Sequence, residues 1–284
     1  MTSSRRGFIA GMGGFAFAST VGGCRPWTSA NGKAKPLFGL QLYSLHKVFW
    51  NEPERVLARL KGCGYDGVEF YNQNGLSAKA LSKMCADAGI RPIGTHLNGD
   101  VDLVSDNLKK TLDYAAEAGF ESLVTPHAQR DSADGYKKFG HAMGLAAETA
   151  DAFGVKVGVH STYHHFTTRY DGVTAWELIY SEASPKLYQQ IDTANTFHTG
   201  SDLVGLLEKY RGRHFSVHLK ENVPTVDGVF GVPPTDGGKC VPWDDAIRVL
   251  KQDGSLKWWI VEAEGKPDST APAAVCLARL KRWI

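Results

Sequence analysis

Polar side chains that can bind a metal ion or transfer a proton follow a series of short apolar runs along this chain of 284 residues. They are Tyr43, Glu69, His96, His127, His160, Asp192, His218 and Glu262. Imidazole and carboxylate groups are common ligands of divalent ions. A charged group that directly follows an apolar strand is costly to bury unless it is paired or ligated. Asp192, His218 and Glu262 each occupy such a position, so the pattern predicts that they hold a divalent metal ion.

The apolar runs have the length of strands and alternate with amphipathic runs of helix length. The predicted strands are Leu37–Leu42, Gly67–Phe70, Arg91–Thr95, Ser122–Thr125, Lys156–Val159, Leu187–Asp192, Phe215–Leu219 and Trp258–Glu262. The predicted helices are Glu52–Cys63, Ser77–Ala88, Ser105–Ala118, Asp134–Phe153, Ala175–Glu182, Leu203–Tyr210, Asp244–Gln252 and Ala271–Trp283.

Strands that alternate with helices pair in parallel through right-handed crossovers. Eight such units in about 250 residues predict an α/β protein with a (β/α)₈ TIM barrel. No glycine-rich nucleotide turn follows the first strand, which disfavours a doubly wound sheet. Since the active site of a TIM barrel lies at the carboxyl ends of its strands, we expect the polar residues that follow the strands to meet there.

The remaining histidines give weaker signals. His141 and His214 lie within or beside helical runs and are predicted to be solvated. His46, His164 and His198 lie in predicted loops, where a surface position and a substrate contact fit equally well.

Several strand-end segments carry a family resemblance. They are Gly39–Ser44, Gly64–Glu69, Gly158–His160, Ile191–Asn195, Val217–Glu221 and Trp259–Glu262. Their order and spacing resemble the xylose-isomerase-like superfamily of sugar isomerases and epimerases, over nearly the whole chain after residue 30. The resemblance implies one divalent ion, commonly Mn²⁺, Mg²⁺, Co²⁺ or Zn²⁺, held by Glu, Asp, His and Glu from strands five to eight. The last three ligands correspond to Asp192, His218 and Glu262.

The fifth strand departs from that pattern, because His160 stands where many members have glutamate. The run Val159–Phe166 resembles a His-Asn-His version found in some relatives, with several substitutions. His160 is therefore the predicted fourth ligand, with His165 or water as alternatives. Two imidazoles and two carboxylates favour Mn²⁺ or Zn²⁺ over Mg²⁺, which prefers oxygen ligands, and Mn²⁺ is our prediction.

The predicted chemistry is proton transfer at a carbon next to a carbonyl. The ion would bind two adjacent oxygens of a sugar or keto-sugar and stabilise the enediolate that forms. Glu262 is the predicted base, with His96 or His160 as its partner acid or base. Lys220 would neutralise oxyanion charge. The predicted substrate contacts are Tyr43, Glu69, His127, Asn195 and Lys220.

Three other functions remain as alternatives. The same enediolate chemistry supports a lyase that acts on 3-keto-glycosides. The missing glutamate on the fifth strand also fits a non-catalytic sugar-binding barrel. The superfamily includes apurinic endonucleases, but a chain with a net charge of +2 has no basic face for nucleic acid, so no nucleic-acid partner is expected.

Residues 1–30 have the features of an export signal. Arg5 and Arg6 precede a weakly apolar, glycine-rich run, which resembles a twin-arginine signal. Val21–Cys24 resembles a lipoprotein cleavage site, so Cys24 could carry a lipid anchor. We expect residues 31–284 to form one barrel in the periplasm or on the outer cell surface, where sugar phosphates are rare. The long loop Asn222–Val241 could form a lid or the contact of a homo-oligomer.

Overall fold

The computed structural model describes residues 35–97, 103, 107–126, 128–233 and 241–284. Residues Pro36–Ile284 form one compact unit. The predicted signal at residues 1–30, with Cys24, and the predicted substrate contact His127 lie outside the described residues. In the described part, no helix is both long enough and apolar enough to cross a membrane.

Eight parallel strands form the barrel. They are β1 Leu37–Gln41, β2 Gly67–Phe70, β3 Arg91–His96, β4 Ser122–Thr125, β5 Lys156–His160, β8 Tyr188–Gln190, β9 Ser216–Leu219 and β10 Trp258–Val261. Their order around the sheet is β8-β5-β4-β3-β2-β1-β10-β9. The two end strands meet just beyond β8, where Asp192 forms a parallel bridge with His218. The N–H of His218 donates to the carbonyl of Ile191 at 2.8 Å, so the ring of strands closes next to two predicted metal ligands.

Helices lie between successive strands of the barrel. They are α1 Pro53–Cys63, α2 Ala78–Asp87, α3 Leu108–Ala118, α4 Ala133–Asp151, α5 Tyr163–Thr167, α6 Ala175–Ser181, α7 Thr193–Phe197, α8 Leu203–Lys209, α9 Trp243–Leu250 and α10 Thr270–Trp283. Gly64 and Gly119 cap α1 and α3 with φ of 95° and 77°, which side chains with a Cβ rarely adopt. The predicted TIM barrel is confirmed.

The structure contains elements that periodicity did not predict. Strands β6 (Arg169–Tyr170) and β7 (Val173–Thr174) pair as an antiparallel hairpin before α6. Helix α7 begins directly after Asp192, whose carboxylate caps it by accepting from the N–H of Asn195. The prediction that His214 is solvated is wrong, because its ring is buried and Nδ1 lies 2.7 Å from Oδ2 of Asp253.

The inside of the barrel is filled by a small apolar cluster of Ile93, Trp258 and Ile260. A larger core of buried side chains packs between the sheet and the helices. Gly67 makes room for this packing, since a Cβ there would lie 2.8 Å from the side chains of both Ile93 and Trp258. Apolar residues therefore fill the lower barrel, and polar side chains occupy its carboxyl end.

Candidate metal and active site

Three predicted ligands meet at the carboxyl end of the barrel, from β8, β9 and β10. Asp192, His218 and Glu262 are all buried, and each places one ligand atom within 4.8 Å of the other two. Nδ1 of His218 lies 2.7 Å from Oε2 of Glu262. Glu262 follows β10 directly and Asp192 lies two residues beyond β8, so the parallel strands place both carboxylates beside the imidazole.

The two oxygens of Asp192 have different partners. Oδ1 accepts from the N–H of Asn195 at 2.8 Å, whereas buried Oδ2 accepts no hydrogen bond from the described residues. Burial raises the pKa of Asp192, although the charge of Lys220 opposes this shift. Two carboxylates and an imidazole, with one buried carboxylate oxygen that accepts no hydrogen bond from the described residues, are a donor set that fits a divalent ion.

Lys220 supplies positive charge at this cluster. Its Nζ lies 3.3 Å from Oδ2 of Asp192, 3.3 Å from Oε1 of Glu262 and 3.4 Å from Oε2 of Glu264. Burial would lower the pKa of Lys220, but these carboxylates raise it well above its usual range. Thr193 fixes the backbone of Lys220 by donating to its carbonyl at 2.6 Å. The ammonium group therefore stays charged and close to the carboxylates.

Glu69 lies on the other side of the His218 ring. Nε2 of His218 is 2.6 Å from Oε2 of Glu69, which also accepts from Nε2 of Gln41 at 2.6 Å. Burial would raise the pKa of Glu69, but His218 and His96 hold it well below its usual range. Burial by itself would lower the pKa of His218, but the charges and hydrogen bonds of Glu69 and Glu262 outweigh burial and raise this pKa to about 10. A carboxylate on the far nitrogen is the usual partner of a metal-binding histidine.

A second group consists of three imidazoles. His96, His160 and His218 each place a nitrogen within 4.8 Å of the others. His160, the predicted fourth ligand, therefore lies beside the Asp192 group, next to His96, with ring centroids 5.0 Å apart. Burial and the neighbouring imidazoles hold the pKa of His160 well below its usual range, so its ring is neutral.

The predicted substrate contacts occupy different depths. Tyr43 is 45% exposed and stacks on His46, with ring centroids 4.5 Å apart. Asn195 uses Nδ2 to donate to the carbonyl of Ser161 at 3.2 Å. Glu69 is fully buried, and both of its oxygens accept hydrogen bonds from the protein. Among the described residues of this group, Tyr43 is thus the most open to a ligand.

His165, the alternative ligand, lies in α5. Its Nδ1 accepts from the N–H of Thr162 at 3.1 Å, and its ring lies 5.4 Å from that of Trp176. These contacts place His165 in the packing between α5 and α6.

A family model described as xylose isomerase-like TIM barrel matches residues 57–282. The chain belongs to this family. Among curated relatives, the inosose dehydratase of Clostridium beijerinckii is 26% identical over 157 residues, which are 49% of this chain and 48% of that protein. The chain thus aligns with about half the length of this relative. The rhizopine catabolism protein MocC of Rhizobium meliloti is 22% identical over 255 residues, which are 77% of this chain and 77% of that protein.

Solved structures show the same fold. A sugar phosphate isomerase/epimerase from Parabacteroides distasonis matches with a TM-score of 0.73 and 22% identity, over 89% of this chain and 96% of that one. The family and fold that the strand-end motifs predicted are therefore confirmed for this xylose isomerase-like barrel.

Three polar residues at the site of this xylose isomerase-like barrel were not predicted from the sequence. Gln190 lies two residues before Asp192, and a period of two would have placed both on the inner face. Gln41 pairs in register with Glu69 on the next strand. Glu264 follows Glu262 by two residues, and burial beside Glu262 raises the pKa of Glu264 to about 8.

Proposed function

We propose that this protein is an exported, divalent-metal-dependent isomerase or epimerase that moves a proton on a sugar or keto-sugar through an enediolate. The observation that carries the proposal is the buried group of Asp192, His218 and Glu262 at the carboxyl end of the barrel. Oδ2 of Asp192 accepts no hydrogen bond from the described residues and lies 3.3 Å from the Lys220 ammonium, which supports a cation there. Membership of the xylose isomerase-like family supports carbohydrate chemistry.

Asp192, His218 and Glu262 would hold the ion, and His160 is the proposed fourth ligand. Mn²⁺ is the proposed metal, because it accepts both nitrogen and oxygen ligands. When bound, a divalent ion polarises the substrate oxygens next to the carbon that loses its proton.

Glu262 is the proposed base. Burial would raise its pKa, but Lys220 and His218 hold the pKa of Glu262 well below its usual range, so the carboxylate is ionised. Charge develops on a substrate oxygen as the proton leaves, and the Lys220 ammonium, 3.3 Å from Glu262, would stabilise that charge.

His96 or His160 would be the partner acid or base on the other side of the site. His160 is buried and neutral, so one of its nitrogens has a lone pair that can accept a proton. A carboxylate on one side and an imidazole on the other would make the two proton-transfer steps chemically unequal. Tyr43 offers an exposed aromatic face for the sugar.

A lyase is the second candidate, and the curated relatives named inosose dehydratase favour it. The first step is the same, because a base removes the proton next to the carbonyl. The electron pair then expels a leaving group from the adjacent carbon, and the leaving group takes up a proton as it departs. Loss of water would make a dehydratase, and loss of an alcohol would make a lyase of 3-keto-glycosides.

The N-terminal residues support the cellular part of the proposal. The Arg5-Arg6 pair and the glycine-rich run after it favour export by the twin-arginine route to the periplasm or outer surface. Cys24 would carry a lipid if cleavage occurs before it. A homo-oligomer through the loop after β9 is a further part of this proposal.

The test is elemental analysis of protein purified without chelator, together with Asp192→Ala and Glu262→Ala. We expect one divalent ion per chain in the wild type and loss of that ion in both variants, with circular dichroism unchanged. Asp202→Ala is the matched control, since Asp202 also caps a helix, by accepting from the N–H of Gly205 at 2.9 Å, and it is not part of the group.

Exchange of a carbon-bound proton with solvent deuterium then tests the reaction on keto-sugars and on inososes. Exchange without loss of a group supports the isomerase or epimerase, and elimination supports the lyase. Absence of metal after Mn²⁺ is supplied would overturn both.

A further inference from the structure

Gln190 lies at the centre of the polar network at the carboxyl end of the barrel. Its side chain is fully buried and makes four hydrogen bonds. Oε1 faces Nε2 of His96 at 2.9 Å and Nδ1 of His160 at 3.0 Å. Nε2 faces Oε1 of Glu69 at 2.7 Å and Oγ of Ser216 at 2.8 Å.

Glu69 fixes which way the Gln190 amide points. The backbone N–H of Tyr43 donates to Oε1 of Gln41 at 3.1 Å, so the NH₂ group of Gln41 faces Oε2 of Glu69 at 2.6 Å, and Nε2 of His218 lies 2.6 Å from the same oxygen. Glu69 is thus surrounded by donors as a carboxylate, and a carboxylate can only accept hydrogen bonds. The atom of Gln190 that faces Glu69 must therefore be the NH₂ group. It follows that the carbonyl oxygen of Gln190 faces the two histidines.

The amide carbonyl in turn fixes the protons on the histidines. A carbonyl oxygen only accepts, so Nδ1 of His160 must carry the hydrogen that it donates to Gln190. Nε2 of His96 faces two acceptors, Gln190 at 2.9 Å and Glu69 at 3.2 Å, so it carries a hydrogen as well. The amide of Gln41 lies 3.5 Å from this nitrogen, and it donates to Glu69 at the much shorter 2.6 Å.

We propose that Gln190 is a positioning residue that holds His160 as its Nδ1–H tautomer, so that Nε2 is the nitrogen that ligates an ion or accepts a proton. Glu69 orients the amide of Gln190, and the carbonyl of Gln190 then fixes which nitrogen of His160 carries the hydrogen. Without Gln190, a neutral imidazole could carry its hydrogen on either nitrogen.

This inference deepens the proposed function, since the use of His160 Nε2 as ligand or base rests on it. The tautomer itself does not depend on catalysis, because it follows from hydrogen bonds within the protein. A tautomer measurement can therefore succeed or fail independently of any activity.

The test is long-range ¹H–¹⁵N correlation spectroscopy of the full chain with labelled histidine, in the metal-free state. The His160 signals are identified by their loss in His160→Gln. In the wild type we expect a protonated Nδ1 and an unprotonated Nε2 on His160. In Gln190→Met we expect loss of this single pattern, with both nitrogens shifted toward averaged values.

Gln189→Met is the matched control. Gln189 is the adjacent residue of the same strand, it is equally buried, and its Oε1 accepts from Nε1 of Trp176 at 3.1 Å on the opposite face. Its loss should lower stability without changing the His160 pattern.

Two results would overturn the inference. One is a wild-type His160 with its hydrogen on Nε2, a measurement that does not depend on the folding of any variant. The other is an unchanged His160 pattern in Gln190→Met. An intact tautomer in a protein that binds no metal would instead leave the inference standing and remove the proposed function.

Discussion

Nζ of Lys220 lies 3.3 Å from Oδ2 of Asp192, an oxygen that accepts no hydrogen bond from the described residues. The same ammonium group lies 3.3 Å from Glu262. Lys220 thus offsets the charge of two proposed metal ligands. A bound divalent ion would supply positive charge to the same carboxylates.

Lys220→Met should therefore destabilise the metal-free protein strongly. Removing one partner of a buried ion pair costs about 3–5 kcal/mol, because the remaining carboxylates lose their counter-charge. Mn²⁺ should restore part of this loss, so the added ion should raise the melting temperature more in the variant than in the wild type. Thermal unfolding with chelator and with Mn²⁺ measures both effects.

Lys209→Met is the control for that variant. Lys209 lies 2.7 Å from Glu177, but its side chain is 53% exposed, and exposed pairs contribute about 0–1 kcal/mol. If Lys220→Met were as stable as Lys209→Met in chelator, the assigned role of Lys220 as counter-charge would be wrong.

His160 and His165 should differ in their effect on metal binding. His160 lies beside His218 with ring centroids 4.7 Å apart, whereas His165 packs against Trp176. We expect His160→Gln to weaken Mn²⁺ binding by at least about tenfold, the lower end of what loss of a supporting residue costs. We expect His165→Gln to lower the melting temperature and to leave the affinity unchanged. Isothermal titration calorimetry measures both affinities, and the reverse ranking would make His165 the ligand.

The barrel could be predicted from the sequence because its signals are local. Each strand is a short apolar run, and glycines such as Gly64 mark the ends of helices. Helix α5 and strands β6 and β7 were missed, since five-residue and two-residue elements are too short to show a period. Their formation depends on packing against α6, which no local pattern records.

The candidate site was predictable only in part. Parallel strands bring their carboxyl ends together, so charged residues such as Asp192 could be identified from strand order alone. Gln190 carries no charge, and its importance comes from partners on β2, β3 and β5 that are distant in sequence. The burial of His214 could not be predicted either, because its partner Asp253 lies 39 residues away in sequence.

The export proposal predicts that the arginine pair controls localisation. Replacing Arg5 and Arg6 together by lysine should retain the protein in the cytoplasm, because the twin-arginine route reads the pair itself and not its charge. Cell fractionation with immunoblotting measures this. Cys24→Ser should leave export intact and abolish lipid labelling. Unchanged export of the double lysine variant would contradict the assigned route.

The buried pair of His214 and Asp253 predicts how stability depends on pH. Asp253 accepts from His214, from the N–H of Gly212, and from the N–H and hydroxyl of Ser255. Burial would raise the pKa of Asp253, but these donors hold it well below its usual range. The ionised carboxylate therefore stabilises the fold above the unfolded pKa of about 3.9, and this stabilisation is lost as the pH falls toward the folded value.

Asp253→Asn should consequently destabilise the protein by about 2–4 kcal/mol at pH 7, because it removes a buried charge that accepts several hydrogen bonds. The difference from the wild type should narrow below about pH 4, because the unfolded wild-type chain then takes up a proton at Asp253 that the folded carboxylate does not. Urea unfolding at pH 7 and near pH 3.5 measures the two differences. Asp113→Asn, which removes an exposed partner of Lys109, should cost under about 1 kcal/mol at either pH. A difference for Asp253→Asn that stayed constant with pH would show that the shape of the side chain, and not its charge, supports this end of the barrel.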